Sequence, residues 1–392
     1  MHNIRLHYTL EPPGAPVTPD AHSRTSALGT QESGLVHPLM ALLQSVDEQG
    51  SISAAARALG LSYRHVWGEL KRWETSLGHS LIVWEKGQSA RLSEFGTKLM
   101  WAERQTQARL AAQIQALRAD LERTFAIAFD PQAHVLTCYA SHDAALAHLQ
   151  GQAAGRGLHL DVRFCGSVDA IRALNEGRCL IAGFHVPLQP QAESLSALTF
   201  RPLLQPGRHK LIGFADRSQG LMVPRGNPLA LDSLRAVARQ RARLALRDKG
   251  SGTRLLFDEM AQHAGLSAND FALTPHEEPS HQACAAAVAG GLADVALGIA
   301  SAAASQGLDF VPLQAERYYL VCLKSAVEAP AVVALRQLLQ TLAWRQSLEQ
   351  LPGYQAEQAG QVQSLRAELP WWHLRPKRGH VDDQPPKPRV MP

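Results

Sequence analysis

The stretch GSISAAARALGLSYRHVW, residues 50–67, decides how the N-terminal part of the chain folds. Ser51 or Ser53 precedes a run of small and apolar residues, and a serine in that place caps a helix by accepting a hydrogen bond from a backbone N–H group. Gly60 suits the left-handed backbone that ends a helix. Ser62 can cap a second helix, whose apolar residues recur at helical spacing. The stretch therefore predicts a helix-turn-helix.

The second helix is expected to enter the major groove of DNA. Residues at its start and on its outward face are the candidates for DNA contact: Ser62, Tyr63, Arg64, His65, Glu69, Lys71 and Arg72. Arg64 suits a guanine edge, whereas Lys71 and Arg72 suit phosphates. Residues 80–93 indicate two short strands around a glycine, a wing that carries Lys86 and Arg91 toward the DNA. The alternative is that these charges are only the solvated surface of a helical domain.

Residues 41–100 resemble the winged-helix domain of ModE-type molybdenum regulators and, more distantly, that of LysR-type regulators. The stretch quoted above carries most of the resemblance. It implies a winged helix-turn-helix domain over residues 35–92 and a dimer, or a tetramer, on a palindromic DNA operator. It does not imply molybdate binding, because the usual ModE ligand domain is a pair of small β-barrels, and the rest of this chain has a different pattern.

A predicted helix over residues 93–128 carries apolar residues in an otherwise polar sequence: Phe95, Leu99, Leu110, Ile114, Leu117 and Leu121. A helix of this length is not stable alone in water and needs a packing partner. A two-fold mate would place paired recognition helices about one DNA turn apart. We therefore expect a linker and dimerisation helix, with packing onto its own domain as the alternative.

From residue 135 to 351, short apolar runs such as HVLTCYA, CLIAGFHV and DVALGI alternate with helical segments rich in Ala and Leu. This alternation is typical of an α/β domain. The chain has 392 residues, enough for two or three domains. Residues 1–34 are expected to be a disordered leader, and residues 352–392 a partly disordered tail.

Four junctions between a predicted strand and a predicted helix carry Ser, Thr, Gly or His. They supply the candidate ligand contacts Ser141, His142, Ser167, Ser251, Thr253, Arg254, Ser280 and His281. The first turn of a helix presents unpaired N–H groups and partial positive charge, which suits a small anion. Arg254 would add a formal charge, or it could pair with Asp248 or Asp258. If the junctions converge, they form an oxyanion site in a cleft between two lobes; any one serine alone is more often a simple cap.

The order of these elements resembles the type II periplasmic-binding-protein fold of the kind that binds molybdate or tungstate, with GSGTR and ADVALGI as its most specific parts. The resemblance implies a two-lobed domain over residues 135–351 that closes on its ligand. Asp169, two residues after Ser167, is an unexpected neighbour for a dianion, although a helix turns about 100° per residue and can direct that side chain away.

The composition of the chain limits which partners, cofactors and cellular location it can have. The net charge of +4 permits nucleic-acid binding without arguing for it, and the five cysteines and 17 histidines show no CxxC or HExxH spacing. We expect reduced thiols, no metal site and no cofactor. The sequence contains no apolar run long enough for a membrane helix and no signal-peptide pattern, which predicts a cytoplasmic protein without a membrane partner.

These observations predict a transcriptional regulator that binds double-stranded DNA and a small anionic effector, with molybdate or tungstate as the first candidate. Formate in the same architecture is the alternative, linked to a molybdenum-dependent formate dehydrogenase. An enzyme is disfavoured, since the chain has no G-x-S-x-G elbow and GSGTR lacks the Lys-Ser/Thr ending of a Walker loop. A nucleoid-type DNA-binding protein is disfavoured because it needs no large ligand domain.

Overall fold

The computed structural model describes residues 37–84, 90–129 and 134–372. Over these residues the chain forms a helical N-terminal domain with a two-stranded ribbon, then one long helix, then an α/β domain around a ten-stranded sheet. The predicted fold class is confirmed. The expected leader over residues 1–34, Lys86 of the expected wing and the tail beyond residue 372 lie outside the described residues.

The N-terminal domain consists of α1 (Pro38–Gln49), α2 (Ile52–Ala58), α3 (Tyr63–Leu77), β1 (Ile82–Val83) and β2 (Arg91–Leu92), followed by α4 (Glu94–Phe129). Ser51 Oγ accepts from Ala54 N at 3.1 Å and caps α2, and Ser62 Oγ accepts from His65 N at 3.1 Å and caps α3. Gly60 has φ +65°, which fits the left-handed end predicted for α2. The two short strands pair antiparallel, as expected of a wing.

The C-terminal sheet contains β3 (His134–Ala140), β4 (Leu158–Phe164), β5 (Ile181–Pro187), β6 (His209–Val223), β7 (Arg243–Ala245), β8 (Ala272–Leu273), β9 (Val295–Ile299), β10 (Asp309–Leu323), β11 (Tyr354–Gln355) and β12 (Val362–Ser364). The main path runs β4-β3-β5-β10-β6-β9-β7-β8. Strands β6 and β10 have 15 residues each and pair antiparallel along their length. Because β10 also pairs with β5 while β6 also pairs with β9, these two long strands carry the sheet from a first lobe into a second.

Helices cover the sheet in the order α5 (Ala144–Ala154), α6 (Ser167–Asn175), α7 (Leu195–Phe200), α8 (Leu234–Gln240), α9 (Gly252–His263), α10 (His281–Ala289), α11 (Ala300–Ser305), α12 (Pro330–Gln340), α13 (Leu342–Glu349) and α14 (Leu365–Glu368). Apolar side chains of α6 and α7 form one core of the first lobe, and the second lobe has its own core beneath α8 and α9. The largest core joins side chains of both lobes, including those of β3, α10 and α11.

The chain beyond residue 351 continues this domain. Strands β11 and β12 both pair with β6, and Trp371 is buried in the core of the first lobe. Arg317 of β10 donates to Asp216 of β6 at 2.6 Å and to Glu368 of α14 at 3.5 Å. Residues 354–372 are therefore an integral part of the first lobe, and the two-lobed domain extends past the boundary expected from the sequence.

Helix α4 connects the two domains and contacts both. Gly96 lies so close to β1 that a Cβ atom there would stand 2.5 Å from the carbonyl oxygen of Leu81. Further along, α4 lies against β4 and α10 of the C-terminal domain. Part of the helix thus packs on its own chain, the alternative left open by the sequence. Other apolar side chains stay exposed: Leu110 at 37%, Leu117 at 51% and Leu121 at 45%.

Candidate functional site

The outward face of α3 forms the candidate DNA-binding surface. Val66 and Leu70 face inward and are fully buried, because they pack into the core of the N-terminal domain. The predicted contact residues Ser62, Tyr63, Arg64 and His65 are exposed at the first turn of the helix. The helix start therefore presents a hydroxyl, a phenol, a guanidinium and an imidazole to solvent, on the side opposite the core.

The predicted phosphate contacts on the same helix already have acidic partners. Lys71 lies 2.6 Å from Glu74, and Arg72 lies 2.6 Å from Glu69, while both cations remain exposed. Ion pairs near the surface contribute little to stability. Lys71 and Arg72 thus remain available at the surface, although with less net positive charge than the sequence suggested.

Glu74 fixes the wing onto the recognition helix. Its carboxylate accepts from the backbone N–H groups of Leu81 at 2.8 Å and Ile82 at 3.1 Å, at the start of β1. Burial acts to raise the pKa of Glu74, but these two bonds and Lys71 outweigh it and lower the pKa from its usual value. Arg91 is exposed on β2, where the wing was predicted to place it.

A second candidate site lies where the two lobes touch. In the first lobe, Ser141 follows β3 and Ser167 begins α6, and their Oγ atoms are 3.4 Å apart. In the second lobe, Gly252 begins α9: a Cβ atom there would stand 3.4 Å from Ser167 Oγ and 3.6 Å from Nδ1 of His185 in β5. The helix starts of α6 and α9 therefore face each other, which is the condition on which the site proposed from the sequence depends.

The lobes are in direct backbone contact. A Cβ atom at Gly166 would stand 2.5 Å from the carbonyl oxygen of Gly250 in the opposite lobe. A second contact joins α9 to the start of α7: the buried Glu259 carboxylate accepts from Ser196 N at 3.1 Å and from Ser196 Oγ at 2.8 Å. The structure is thus a closed form of the two-lobed domain.

Thr253 and His281 meet on the second-lobe side of this contact. Thr253 Oγ1 lies 3.3 Å from His281 Nε2 and accepts from Gln219 Nε2 at 2.9 Å. Gln219 also donates to Glu316 at 3.0 Å. Two of the predicted junctions, those opening α9 and α10, are therefore joined by hydrogen bonds to each other and to the long strands β6 and β10.

Three histidines around this contact are kept neutral. Burial lowers the pKa of His185 and His281 well below the usual value, and the nearby Arg247 and Arg217 act in the same direction. Burial and Arg247 also lower the pKa of His142 to about 4, although Asp143 opposes them. His142 packs its ring on Phe164, with centroids 5.0 Å apart. At neutral pH these rings can each donate one hydrogen bond without carrying charge.

Arg247 is the buried cation that sequence reasoning did not select. It is 4% exposed, and its Nε donates to the carbonyl oxygen of Glu278 at 3.2 Å. Within the described part of the chain its Nη1 has no hydrogen-bond partner, and the same holds for His185 Nε2, His281 Nδ1 and Tyr318 Oη. A buried guanidinium nitrogen without a partner is costly unless a ligand or water supplies one. The sequence signal was an arginine ending the apolar run RLALR.

Arg254 has a different environment from the one expected of a ligand contact. It donates to Asp258 at 3.2 Å and to Glu277 at 2.8 Å, the kind of acidic pairing that the sequence left open. Ser251 and Ser280 have their hydroxyls engaged: Ser251 caps α9, and Ser280 caps α10 and donates to Ala108 in α4 at 3.3 Å. These three residues surround the lobe contact without presenting free groups to it.

A buried ion network lies directly beneath this site. Arg217 of β6 pairs with Asp143 and with Glu316, the latter at 2.5 Å, and Tyr354 donates to Asp143 at 2.8 Å. Burial raises the pKa of Glu316, although Arg217 opposes it. Sequence reasoning missed this cluster, because its members come from four distant elements that only the sheet brings together.

Comparison with known proteins assigns the two domains. Residues 38–97 match the family described as bacterial regulatory helix-turn-helix proteins of the LysR family, and residues 147–340 match the PBP superfamily domain. The chain thus carries a LysR-type helix-turn-helix domain followed by a domain like those of the PBP superfamily. This confirms the LysR-like and binding-protein-like character predicted from the sequence, whereas the ModE resemblance and the molybdate or tungstate effector stay predictions.

Individual relatives cover parts of the chain. An uncharacterized Bacillus subtilis (strain 168) protein, YvgK, is 28% identical over 51% of the chain and 64% of its own length. An uncharacterized Clostridium pasteurianum protein from the 5′ region of a 2Fe-2S ferredoxin gene is 32% identical over 28% of the chain and 96% of its own length. The structure of ArgP from Mycobacterium tuberculosis covers 78% of the chain and 96% of ArgP, with 21% identity and a TM-score of 0.36.

Three further features of the chain concern membranes, metals and thiols. Among the described residues, none of the helices is both long and apolar enough to cross a bilayer. The same part of the chain holds no cluster of three His, Cys, Asp or Glu side chains suited to a metal ion. The five cysteines are free thiols, four of them buried and Cys165 partly exposed.

Proposed function

We propose that the chain is a cytoplasmic, ligand-responsive transcriptional regulator that binds a double-stranded DNA operator through α3. The observation that carries this proposal is the capped recognition helix with Arg64 and His65 exposed on one face, in a segment that matches the LysR family. A guanidinium at that place can bind a guanine edge by two hydrogen bonds. DNA binding by the full-length chain is therefore expected to be sequence-selective.

The DNA-binding proposal is tested with a duplex selected by the full chain from a random library. Arg64→Ala should cost about 1–3 kcal/mol at one operator position and relax the base preference there. Arg156→Ala, which removes an exposed arginine in the turn after α5, is the matched control and should leave binding unchanged. A loss that is uniform across sequences would favour the nucleoid-type alternative.

We further propose that α4 pairs with α4 of a second copy, since Leu110, Leu117 and Leu121 expose apolar surface at spacings of seven and four residues. A charge introduced into that stripe cannot be buried cheaply. Leu117→Lys should shift the dimer toward monomer in sedimentation, whereas Leu198→Lys, at a 57% exposed leucine of α7, should not. Equal sedimentation of Leu117→Lys and wild type would count against this interface.

For the effector we propose a small oxyanion held where α6 and α9 meet, with molybdate or tungstate as the first candidate. Support comes from the facing helix starts, from the hydroxyls of Ser141, Ser167 and Thr253, and from Arg247 Nη1, which has no hydrogen-bond partner among the described residues. The anion regulates only if it binds the closed form of the lobes more tightly than the open form. Closure would then change the separation of the two recognition helices.

Formate is the second candidate, and a specific observation favours it. The buried carboxylates of Asp143 and Glu316 lie beneath the site and oppose the second charge of a dianion. A planar carboxylate also matches a guanidinium such as that of Arg247. A single negative charge is therefore easier to accommodate than two.

Calorimetric titration with molybdate, tungstate, sulfate and formate separates these candidates. The double variant Ser141→Ala, Thr253→Ala should lose anion binding and keep DNA binding. Ser305→Ala, which removes a hydroxyl on α11, is the control. Sulfate binding as tightly as molybdate would count against the metal-oxyanion candidate, and an unchanged double variant would count against this site.

A further inference from the structure

Helix α10 lies directly against α4, which is anchored in the DNA-binding domain. Ala108 of α4 forms a small buried contact with Ala283 and Ala286 of α10. At the other end of α10, Trp101 lies 3.7 Å from the position that a Cβ atom would take at Gly290. Small side chains let the two helices approach closely. A displacement of α10 would therefore also displace α4, the helix that begins against the wing.

Two polar contacts fix the start of α10 to the same turn of α4. Arg109 donates from Nε to Glu278 Oε2 at 2.9 Å and from Nη2 to Oε1 at 2.7 Å, a bidentate pair. Glu278 is 2% exposed, so its carboxylate has little access to water. Ser280 Oγ donates to the carbonyl oxygen of Ala108 at 3.3 Å. Residues 278–280 are thus held on α4 by three hydrogen bonds.

The other side of this short segment belongs to the candidate anion site. The carbonyl oxygen of Glu278 accepts from Arg247 Nε at 3.2 Å and from the backbone N–H of Asp248 at 3.1 Å. His281, the next residue after Ser280, contacts Thr253. Glu278 is therefore bonded through its main chain to the buried arginine of the site and through its side chain to α4.

We propose that the Glu278–Arg109 pair is the contact that transmits anion binding to the DNA-binding domain. The inference rests on the proposed function, because it assigns a route of regulation to the same site. An anion that engages Arg247 Nη1 repositions the guanidinium whose Nε holds Glu278, and the bidentate pair passes that shift to α4. Arg109 and Glu278 are positioning residues: they act through Arg247 and α4 and need no contact with the anion or the DNA.

Arg109→Gln and Glu278→Gln are the test variants, since both keep a side chain of similar length and remove the charged pair. Arg243→Gln is the matched control: Arg243 makes the same fork to Asp294, at 3.1 and 2.7 Å, in the second lobe. For each full-length protein, the dissociation constant for the library-selected duplex is measured with and without saturating molybdate, and again with formate. Anion affinity is measured separately by calorimetry.

We expect the wild type and Arg243→Gln to change DNA affinity at least fivefold with an anion. In Arg109→Gln and Glu278→Gln, the dissociation constants for the duplex with and without anion should differ by less than twofold. The affinity for the anion, and the DNA affinity without anion, should each stay within threefold of wild type. Because both variants break the same contact, the double variant should add nothing further. A purely structural role would lower anion-free DNA affinity as well, and that result would overturn the proposal.

The remaining outcomes are distinguishable. A full anion response in Arg109→Gln overturns this inference and leaves the proposed function intact. A wild type that binds an anion without any change in DNA affinity overturns both the inference and the regulatory part of the proposed function. A wild type that binds neither molybdate nor formate overturns the proposed effector site, and the inference fails with it.

Discussion

A single methyl group placed at Gly166 should hold the two lobes apart. Gly166 precedes α6 with φ −64°, a backbone that alanine adopts without strain. Its added Cβ atom would stand 2.5 Å from the carbonyl oxygen of Gly250, whereas ordinary contacts begin near 3.4 Å, so one lobe must retreat by about 0.9 Å. That oxygen is backbone and cannot turn away as a flexible side chain would.

The cost of this clash falls on the closed form alone. Overpacking of one methyl group costs about 1–3 kcal/mol. If the anion binds only the closed form, the same free energy appears as a loss of about 5- to 150-fold in anion affinity. Each lobe keeps its own core, so the fold should survive; the bonds from Ser196 to Glu259 across the contact are the ones that must loosen.

The assay combines calorimetric titration of the anion with small-angle scattering and thermal unfolding. Gly166→Ala should bind the anion weakly, scatter as a more extended particle and unfold near the wild-type temperature. Gly151→Ala is the control, because it adds the same methyl group to α5 with nothing within 4 Å. Wild-type anion affinity together with wild-type scattering in Gly166→Ala would refute the closed contact as the binding-competent form.

Two other predictions concern the wing and acid stability. Gly96→Ala brings a Cβ atom to 2.5 Å from Leu81 O, so it should destabilise the N-terminal domain by about 1–3 kcal/mol in urea unfolding, whereas Gly68→Ala, with open space around it, should not. His142 has a pKa of about 4, below the usual 6.5, because burial and Arg247 oppose its charge. The unfolded chain therefore binds a proton first, and stability is lost as pH falls from about 6.5 to about 4. His142→Asn should lose less stability than wild type between pH 7 and pH 4.5, and equal losses would contradict this assignment.

Local signals predicted the DNA-binding domain well. Ser51, Ser62 and Gly60 act on backbone groups within a few residues, so their caps and turn follow from sequence spacing alone. The ribbon of β1 and β2 follows from the same kind of signal. The packing of α4 against α10 depends on residues some 170 positions apart, and no local pattern contains it.

The sequence proposed Ser167 and Thr253 for one site only on the condition that their helix starts converge. It could not tell which way neighbouring side chains point. One step of about 100° separates buried Thr253 from Arg254, which turns to Asp258 and Glu277. Asp169 turns outward to Arg172 for the same reason, which removes the objection to an anion near Ser167.

The charge of the effector should appear in the pH dependence of its binding. Buried Arg217 pairs with the buried acids Asp143 and Glu316, and buried Arg247 lies 3.4 Å from Asp248, so nearby carboxylates already offset the charges of both arginines. The histidines stay neutral because burial and both arginines oppose a further positive charge. A dianion brings two negative charges to the site and formate brings one, so the dianion favours protonation of His185 or His281 more strongly. Proton uptake on binding means that affinity rises as pH falls. Molybdate affinity should therefore rise more steeply than formate affinity as the pH falls from 8 to 6.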